Sequence, residues 1–175
     1  MQYSNAGPQA RRSGAIRVAT VIAVASTFLP PAASANEVDP QVARGRYLVQ
    51  IAGCNDCHTP GYMERAGEVD ESLWLTGNPV GWTGPWGTTY PPNLRLVAGK
   101  LTEARWLVYA RREWSPPMPW FALRDMTDED LAAIFRYLRH MGPAGDKAPA
   151  ALPPGQEPQG PVFRAPAPPT PPVQQ

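Results

Sequence analysis

The sequence predicts an all-α fold, with helices joined by long loops rich in Gly, Pro and Trp. Three observations predict it. Apolar residues recur at helical spacing in three separate stretches, over 40–51, 103–112 and 127–141. Each stretch opens on a residue suited to a helix start: Pro40, Thr102 and Thr127. Between the first two, Gly61, Gly67, Gly77, Gly81, Gly84 and Gly87 alternate with Pro60, Pro79, Pro85, Pro91 and Pro92. That punctuation leaves no room for long strands or helices.

The first helix spans Pro40 to Ile51, with Val42, Tyr47, Leu48 and Ile51 as its apolar face. Gly45 lies inside it. A helical glycine costs about 1 kcal/mol against alanine, and it suits a place where a second helix crosses closely. From Thr59 to Pro92 the chain carries Trp74, Trp82, Trp86 and Tyr90, too many aromatics for a disordered linker. An ordered loop is expected, its rings shielding a flat hydrophobic group or packing on one another. A short helix is plausible over Glu71–Leu75. The second long helix, Glu103–Arg112, turns Trp106, Tyr109 and Ala110 inward. Arg95, Lys100, Arg105, Arg111 and Arg112 make a local basic excess. It forms either a solvated face or a surface for carboxylates. The last helix is capped by Thr127 and has Asp128, Glu129 and Asp130 in its positive first turn. Its stripe of Leu131, Ile134, Phe135 and Leu138 is expected to pack across the Gly45 face. Gly142-Pro143 stops it. From 143 to 175, 11 of 33 residues are Pro, so this segment is expected to be extended, flexible and without a core.

Cys54-Asn55-Asp56-Cys57-His58 is the stretch that carries chemistry. It reads C-x-x-C-H, the attachment signal of a c-type haem. Two thiols at this spacing can add to the two vinyl groups of one haem edge. The histidine that follows directly then ligates the iron. Other uses of C-x-x-C fit less well. A structural zinc site takes four ligands, and the whole chain has two Cys and two His, with His140 in a distant segment. A redox dithiol belongs in a βαβ setting. A Cys54–Cys57 disulfide leaves His58 without a role.

An iron held by His58 has an open opposite position. Met118, in Pro116-Pro117-Met118-Pro119-Trp120, is the candidate for it. Its thioether completes a His/Met pair, and the flanking prolines fix the backbone. The other candidates have simpler explanations. Met126 staples a helix start, Met141 ends a helix, Met63 is too near His58, and His140 stands on a helix.

Residues 1–35 read as a cleaved export signal. Arg11, Arg12 and Arg17 precede an apolar run from Val18 to Leu29, and Ala33-Ser34-Ala35 fits the small-x-small cleavage pattern. The apolar run is shorter than the ~20 residues of a spanning helix, so the mature chain is expected to have no transmembrane segment and to be periplasmic. Both cysteines are consumed by haem attachment. The domain is then 36–142 and the Pro-rich tail 143–175. The whole chain has 16 basic and 15 acidic residues. Removing the first 35, which hold three basic and no acidic ones, leaves 13 against 15, a net charge of −2. Such a balance excludes a nucleic-acid partner.

These residues resemble class I c-type cytochromes. The chain is similar to single-haem proteins related to the haem subunits of membrane-associated alcohol and aldehyde dehydrogenases. The matching pieces are Gly53-Cys54-Asn55-Asp56-Cys57-His58-Thr59, Pro92-Asn93-Leu94, Pro116-Pro117-Met118-Pro119-Trp120 and Met126-Thr127-Asp128-Glu129-Asp130-Leu131. The resemblance implies a cytochrome c fold with crossed terminal helices around a covalent haem c. It also implies His58 and Met118 as axial ligands of iron, and one-electron transfer rather than substrate chemistry. Expected partners are redox proteins: a dehydrogenase as donor, an oxidase or another cytochrome as acceptor. Two other readings stay open. One is a ligand-binding or catalytic haem protein with an open distal site. The other is a haem subunit of a larger dehydrogenase.

Overall fold

The computed structural model describes residues 39–165. Residues 1–38 and 166–175 lie outside the described residues, so the expected export signal (1–35) and the end of the Pro-rich tail fall there.

Helix α1 (Pro40–Ile51) starts where the Asp39 carboxylate accepts the Gln41 N–H at 2.8 Å. Pro40 sits at the first helical position, where no N–H is needed. The short α2 (Cys54–His58) follows at once. A single 3₁₀ turn, Glu71–Leu73, interrupts the long loop. Helix α3 (Leu94–Gly99) is capped by Asn93, whose side chain accepts the Leu96 N–H at 3.0 Å. Helix α4 (Glu103–Ala110) is capped by Thr102, α5 (Trp120–Asp125) is one and a half turns, and α6 (Asp128–Met141) is capped by Thr127. The acids of the first turn of α6 and Arg139 and His140 in its last both match the helix dipole.

The core forms around α6. Leu131, Ile134, Phe135 and Leu138 are buried as expected, and Ala133 and Tyr137 join them. Gly45 is the point at which α1 lies against α6. A Cβ there would fall inside the Ala133 carbonyl group and within 2.8 Å of Tyr137 Cβ. This contact rotates α1 away from its expected face. Val42, Gly45, Leu48 and Val49 are buried, whereas Tyr47 and Ile51 are 51% and 61% exposed. Helix α4 closes the other side, with the Trp106 Nε1–H donating to the Leu131 carbonyl at 2.9 Å.

The expected all-α class is corrected. A three-stranded mixed sheet is present, so the domain is mixed α/β. Strand β1 (Gly81–Gly84) pairs antiparallel with β2 (Gly87–Thr89), in register Trp82↔Thr89 and Gly84↔Gly87. The two residues between them, Pro85 and Trp86, place Pro at the second position of the turn and Gly at its fourth, both favoured in tight turns. Trp82, Thr83, Thr88 and Thr89 have the branched and aromatic side chains that pleated strands prefer. The glycines and prolines that break helices here therefore make a hairpin.

The third strand comes from the Pro-rich segment. β3 (Val162–Arg164) pairs parallel with β1, and Phe163 lies 4.7 Å, ring to ring, from Trp82. Leu152 makes an isolated antiparallel bridge to Thr88 on the free edge of β2. Residues 143–165, expected to be free of the domain, are thus laid along both edges of the hairpin. Prolines did not prevent this because N–H groups that bond the hairpin, such as those of Leu152 and Ala165, come from residues other than proline.

Candidate functional site

Helix α2 gathers three of the four candidate residues. Cys54 and Cys57 are three positions apart and His58 is four from Cys54, so one helical turn brings them to one side. Asn55, in the same turn, is fully buried. Its Oδ1 accepts from Thr59 Oγ1 at 2.8 Å, and Thr59 Oγ1 in turn accepts the Leu75 N–H at 2.8 Å. The Gly77 N–H bonds the His58 carbonyl at 2.8 Å. Backbone and side-chain bonds therefore fix α2 in place, with His58 buried and Cys54 packed against the core.

The His58 side chain is 5% exposed by residue and its Nδ1 lies 2.8 Å from the Pro92 carbonyl oxygen. A carbonyl only accepts, so Nδ1 carries the proton and Nε2 keeps its lone pair. Burial pushes the imidazole below its ordinary range, and the Pro92 carbonyl opposes this in part. The ring is neutral at pH 7, with its free nitrogen fixed in direction. That is the state a metal-ligating histidine needs, with the second nitrogen oriented by a backbone carbonyl.

Cys54 and Cys57 are not joined to each other by a disulfide. Burial first, and then the Asp56 charge, push Cys54 up to about 12, and the same two causes raise Cys57. A thiol that attacks as a thiolate needs the opposite shift. The dithiol is therefore poorly suited to redox exchange. Among the described residues no group of three or more His, Cys, Asp or Glu is placed to hold a metal ion, which leaves the zinc reading without a ligand set. The donor set present, two neutral thiols beside one neutral and oriented imidazole, fits a c-type haem.

Met118 lies elsewhere, in the loop between α4 and α5. It lines an open hollow of about 380 Å³ with Trp114, Pro117, Trp120 and Phe121. Its N–H bonds the Ser115 carbonyl at 3.3 Å, and its carbonyl accepts the Trp120 N–H at 2.8 Å. The two regions share a connector. Thr89 Oγ1 donates to the Pro116 carbonyl at 2.8 Å, and three residues later Pro92 accepts from His58.

The aromatic loop divides. Trp74 is buried in the core, with its Nε1–H on the Val69 carbonyl at 3.0 Å and Tyr62 at its edge. Trp82 belongs to the sheet. Arg95, read as a solvated or carboxylate-facing charge, is buried instead and bonds three backbone carbonyls, of Ser72, Met141 and Gly142. The residues missed from sequence are Thr89, Pro92 and Arg95. Pro92 belongs to the matching piece Pro92-Asn93-Leu94, but it acts through its carbonyl, which every residue has, so its role carries no side-chain signal.

Two known proteins are similar to more than half of this chain. The gluconate 2-dehydrogenase cytochrome c subunit of Pantoea cypripedii is 32% identical over 125 residues, covering 62% of this chain and 28% of that protein. The fructose dehydrogenase cytochrome subunit of Gluconobacter japonicus is 28% identical over 141 residues, covering 73% of this chain and 28% of its own length. The chain is a distant homologue of dehydrogenase cytochrome c subunits. The likeness to cytochrome subunits read from the motifs therefore holds, and it supports an electron-transfer haem protein. The chain spans only about 28% of the length of these relatives. No family model and no solved structure matches it.

Proposed function

We propose that this chain is a periplasmic one-electron carrier with one covalent haem c. Cys54 and Cys57 form the two thioether bonds, His58 Nε2 is the proximal ligand, and Met118 is the distal one. The bound group supplies a reversible one-electron change at its iron. Cys54 and Cys57 would attach the group, and His58 and Met118 would hold its iron, so that electrons rather than a substrate would be exchanged there. One observation carries this reading: the His58 Nδ1–H on the Pro92 carbonyl, on the same helical turn as two neutral thiols.

The names of the relatives favour a dehydrogenase as electron donor; the acceptor would be an oxidase or a further cytochrome. They also favour assembly as the electron-transfer subunit of a dehydrogenase rather than as its catalytic one. Export rests on the pattern of residues 1–35. No helix among the described residues is long and apolar enough to cross a membrane.

The test is expression of the full chain with export and haem-attachment machinery. The expected product is red, heavier by one haem, and shows the weak far-red band of iron–sulfur ligation when oxidised. Met118→Ala is expected to keep the haem, lose that band and bind carbon monoxide readily when reduced. A colourless exported product with both thiols unmodified overturns the reading. A Met118→Ala protein that keeps the band assigns the distal position to another group.

A further inference from the structure

Six hydrogen bonds, at four residues, meet in the short segment Thr88–Asn93. Two lead to the proposed axial ligands: Thr89 to the Pro116 carbonyl, two residues before Met118, and Pro92 to His58. The other four lead to the Pro-rich segment, and the residues that make them lie just outside the first two. At Thr88, the Leu152 N–H bonds the Thr88 carbonyl at 2.8 Å and the Thr88 N–H bonds the Leu152 carbonyl at 2.9 Å. At Asn93, Nδ2 donates to the Ala144 carbonyl at 2.8 Å and the Asp146 carbonyl at 3.1 Å.

The segment then goes round the hairpin. It crosses over Gly87, whose φ is +98° and where a Cβ would collide with the Leu152 carbonyl and Pro153. A side chain at 87 would therefore be strained and would also push the segment off. On the far side the Gly81 N–H bonds the Pro161 carbonyl at 3.0 Å, β3 pairs with β1, and the Ala165 N–H bonds the Thr83 carbonyl at 2.9 Å. A two-stranded hairpin alone is marginal in water. Here one Pro-rich stretch covers both of its open edges. Its prolines hold that stretch extended before it docks, which lowers the entropy lost on docking.

We propose that residues 144–165 are a strap that holds the 88–93 segment, and through it the distances at which His58 and Met118 meet the haem, with Thr89 as the positioning residue for Met118. This rests on the His58/Met118 reading above. A loop that presents Met118 between prolines still needs an anchor to the rest of the protein. The Thr89 hydroxyl provides one, and the hairpin that carries Thr89 is only as rigid as its edges.

The test uses the full, haem-loaded chain and three substitutions. Thr89→Val removes the hydroxyl at nearly constant shape. Thr89→Ser restores it. Leu152→Pro removes the N–H that bonds Thr88 and leaves the helical core untouched. The far-red sulfur band of the oxidised protein and the carbon monoxide association rate of the reduced protein are read well below the melting temperature. Loss of one hydrogen bond of ordinary strength is expected to raise the population with Met118 released by about fivefold. Thr89→Val and Leu152→Pro are therefore expected to weaken the band and to speed carbon monoxide binding about fivefold, with Thr89→Ser close to the parent. A band and a rate unchanged in both Thr89→Val and Leu152→Pro overturn the strap while leaving the ligand assignment standing. A parent protein that carries haem but lacks the band overturns the Met118 assignment, and the strap with it.

Discussion

Gly45 rests on the backbone of Ala133. The two helices α1 and α6 come closer at this point than any side chain at 45 permits, since a Cβ would lie 2.6 Å from the Ala133 carbonyl carbon. Two effects of Gly45→Ala oppose each other. Helix propensity favours alanine by about 1 kcal/mol. Forcing a methyl into a packed interface costs about 1–3 kcal/mol, and the neighbour here is backbone, which cannot turn aside. The overlap is deep, so the second effect wins. We expect Gly45→Ala to destabilise the holoprotein by about 2 kcal/mol and to lower its melting temperature by about 10 °C. Denaturant unfolding with unchanged slope checks it, and a stabilised variant means that the helices are not in contact at this point.

Arg95 gives the second prediction. It is 6% exposed and donates to Gly142 O at 2.6 Å, Met141 O at 2.6 Å and Ser72 O at 2.7 Å. Two of these carbonyls close the C-terminal, negative end of α6, where a cation is favoured. Burial lowers its pKa from the ordinary value, yet a guanidinium stays charged. Its fork reaches three acceptors in different directions. A lysine ammonium is a single point and leaves at least one of them without a partner. Arg95→Lys is therefore expected to cost about 2 kcal/mol, with Arg95→Met worse, because each orphaned buried carbonyl costs about 1–3 kcal/mol. Hydrogen exchange locates the effect: protection is expected to fall first at the end of α6 and at Ser72–Trp74. Equal loss of protection throughout the domain contradicts this placement.

Arg95 also shows which parts of this molecule the sequence discloses. The caps Thr102 and Thr127, the stripe of α6 and the glycine that admits α1 follow from residues within one or two turns of each other, so local spacing reveals them. The Cys54, Cys57 and His58 grouping is local for the same reason. The sheet is not. β1 pairs with β3 across about eighty residues, and neither strand is longer than four, so no alternating pattern accumulates. Pro and Gly in 81–87 read as breaks because their turn-forming and helix-breaking roles use the same residues. The partners of Arg95 and His58 are main-chain carbonyls, which carry no signature of their own. Met118 is singled out by side-chain chemistry alone, while the bonds of Thr89 to Pro116 and of His58 to Pro92 are visible only in three dimensions.

Glu71 supplies the pH dependence. It accepts from Arg46 twice, Nε and Nη2 each at 2.8 Å, and from the Tyr137 hydroxyl at 2.7 Å, joining the 3₁₀ turn to α1 and α6. The Arg46 hydrogen bond is the largest influence on Glu71; it holds the carboxyl below its ordinary value of 4.5 against the opposing cost of burial, and the Tyr137 bond adds to it. A group whose folded pKa is depressed stabilises the fold above its unfolded pKa and loses that contribution as pH falls through the folded one. The contribution is thus complete above about pH 4.5 and declines below it. Tyr137 shifts the other way: burial first and then the Glu71 carboxylate raise it, so it remains a donor throughout this range. Arg46 and Glu71 are both more than a third exposed, so the ion pair itself is worth at most about 1 kcal/mol. Glu71→Gln keeps the shape and removes the charge. It is expected to lower stability at pH 7 by about that amount, and the gap is expected to shrink as the pH falls and the parent carboxyl takes up its proton. Urea unfolding of parent and variant between pH 2 and pH 7 measures the gap, and a gap that stays constant across the range means that Glu71 acts through packing instead of charge.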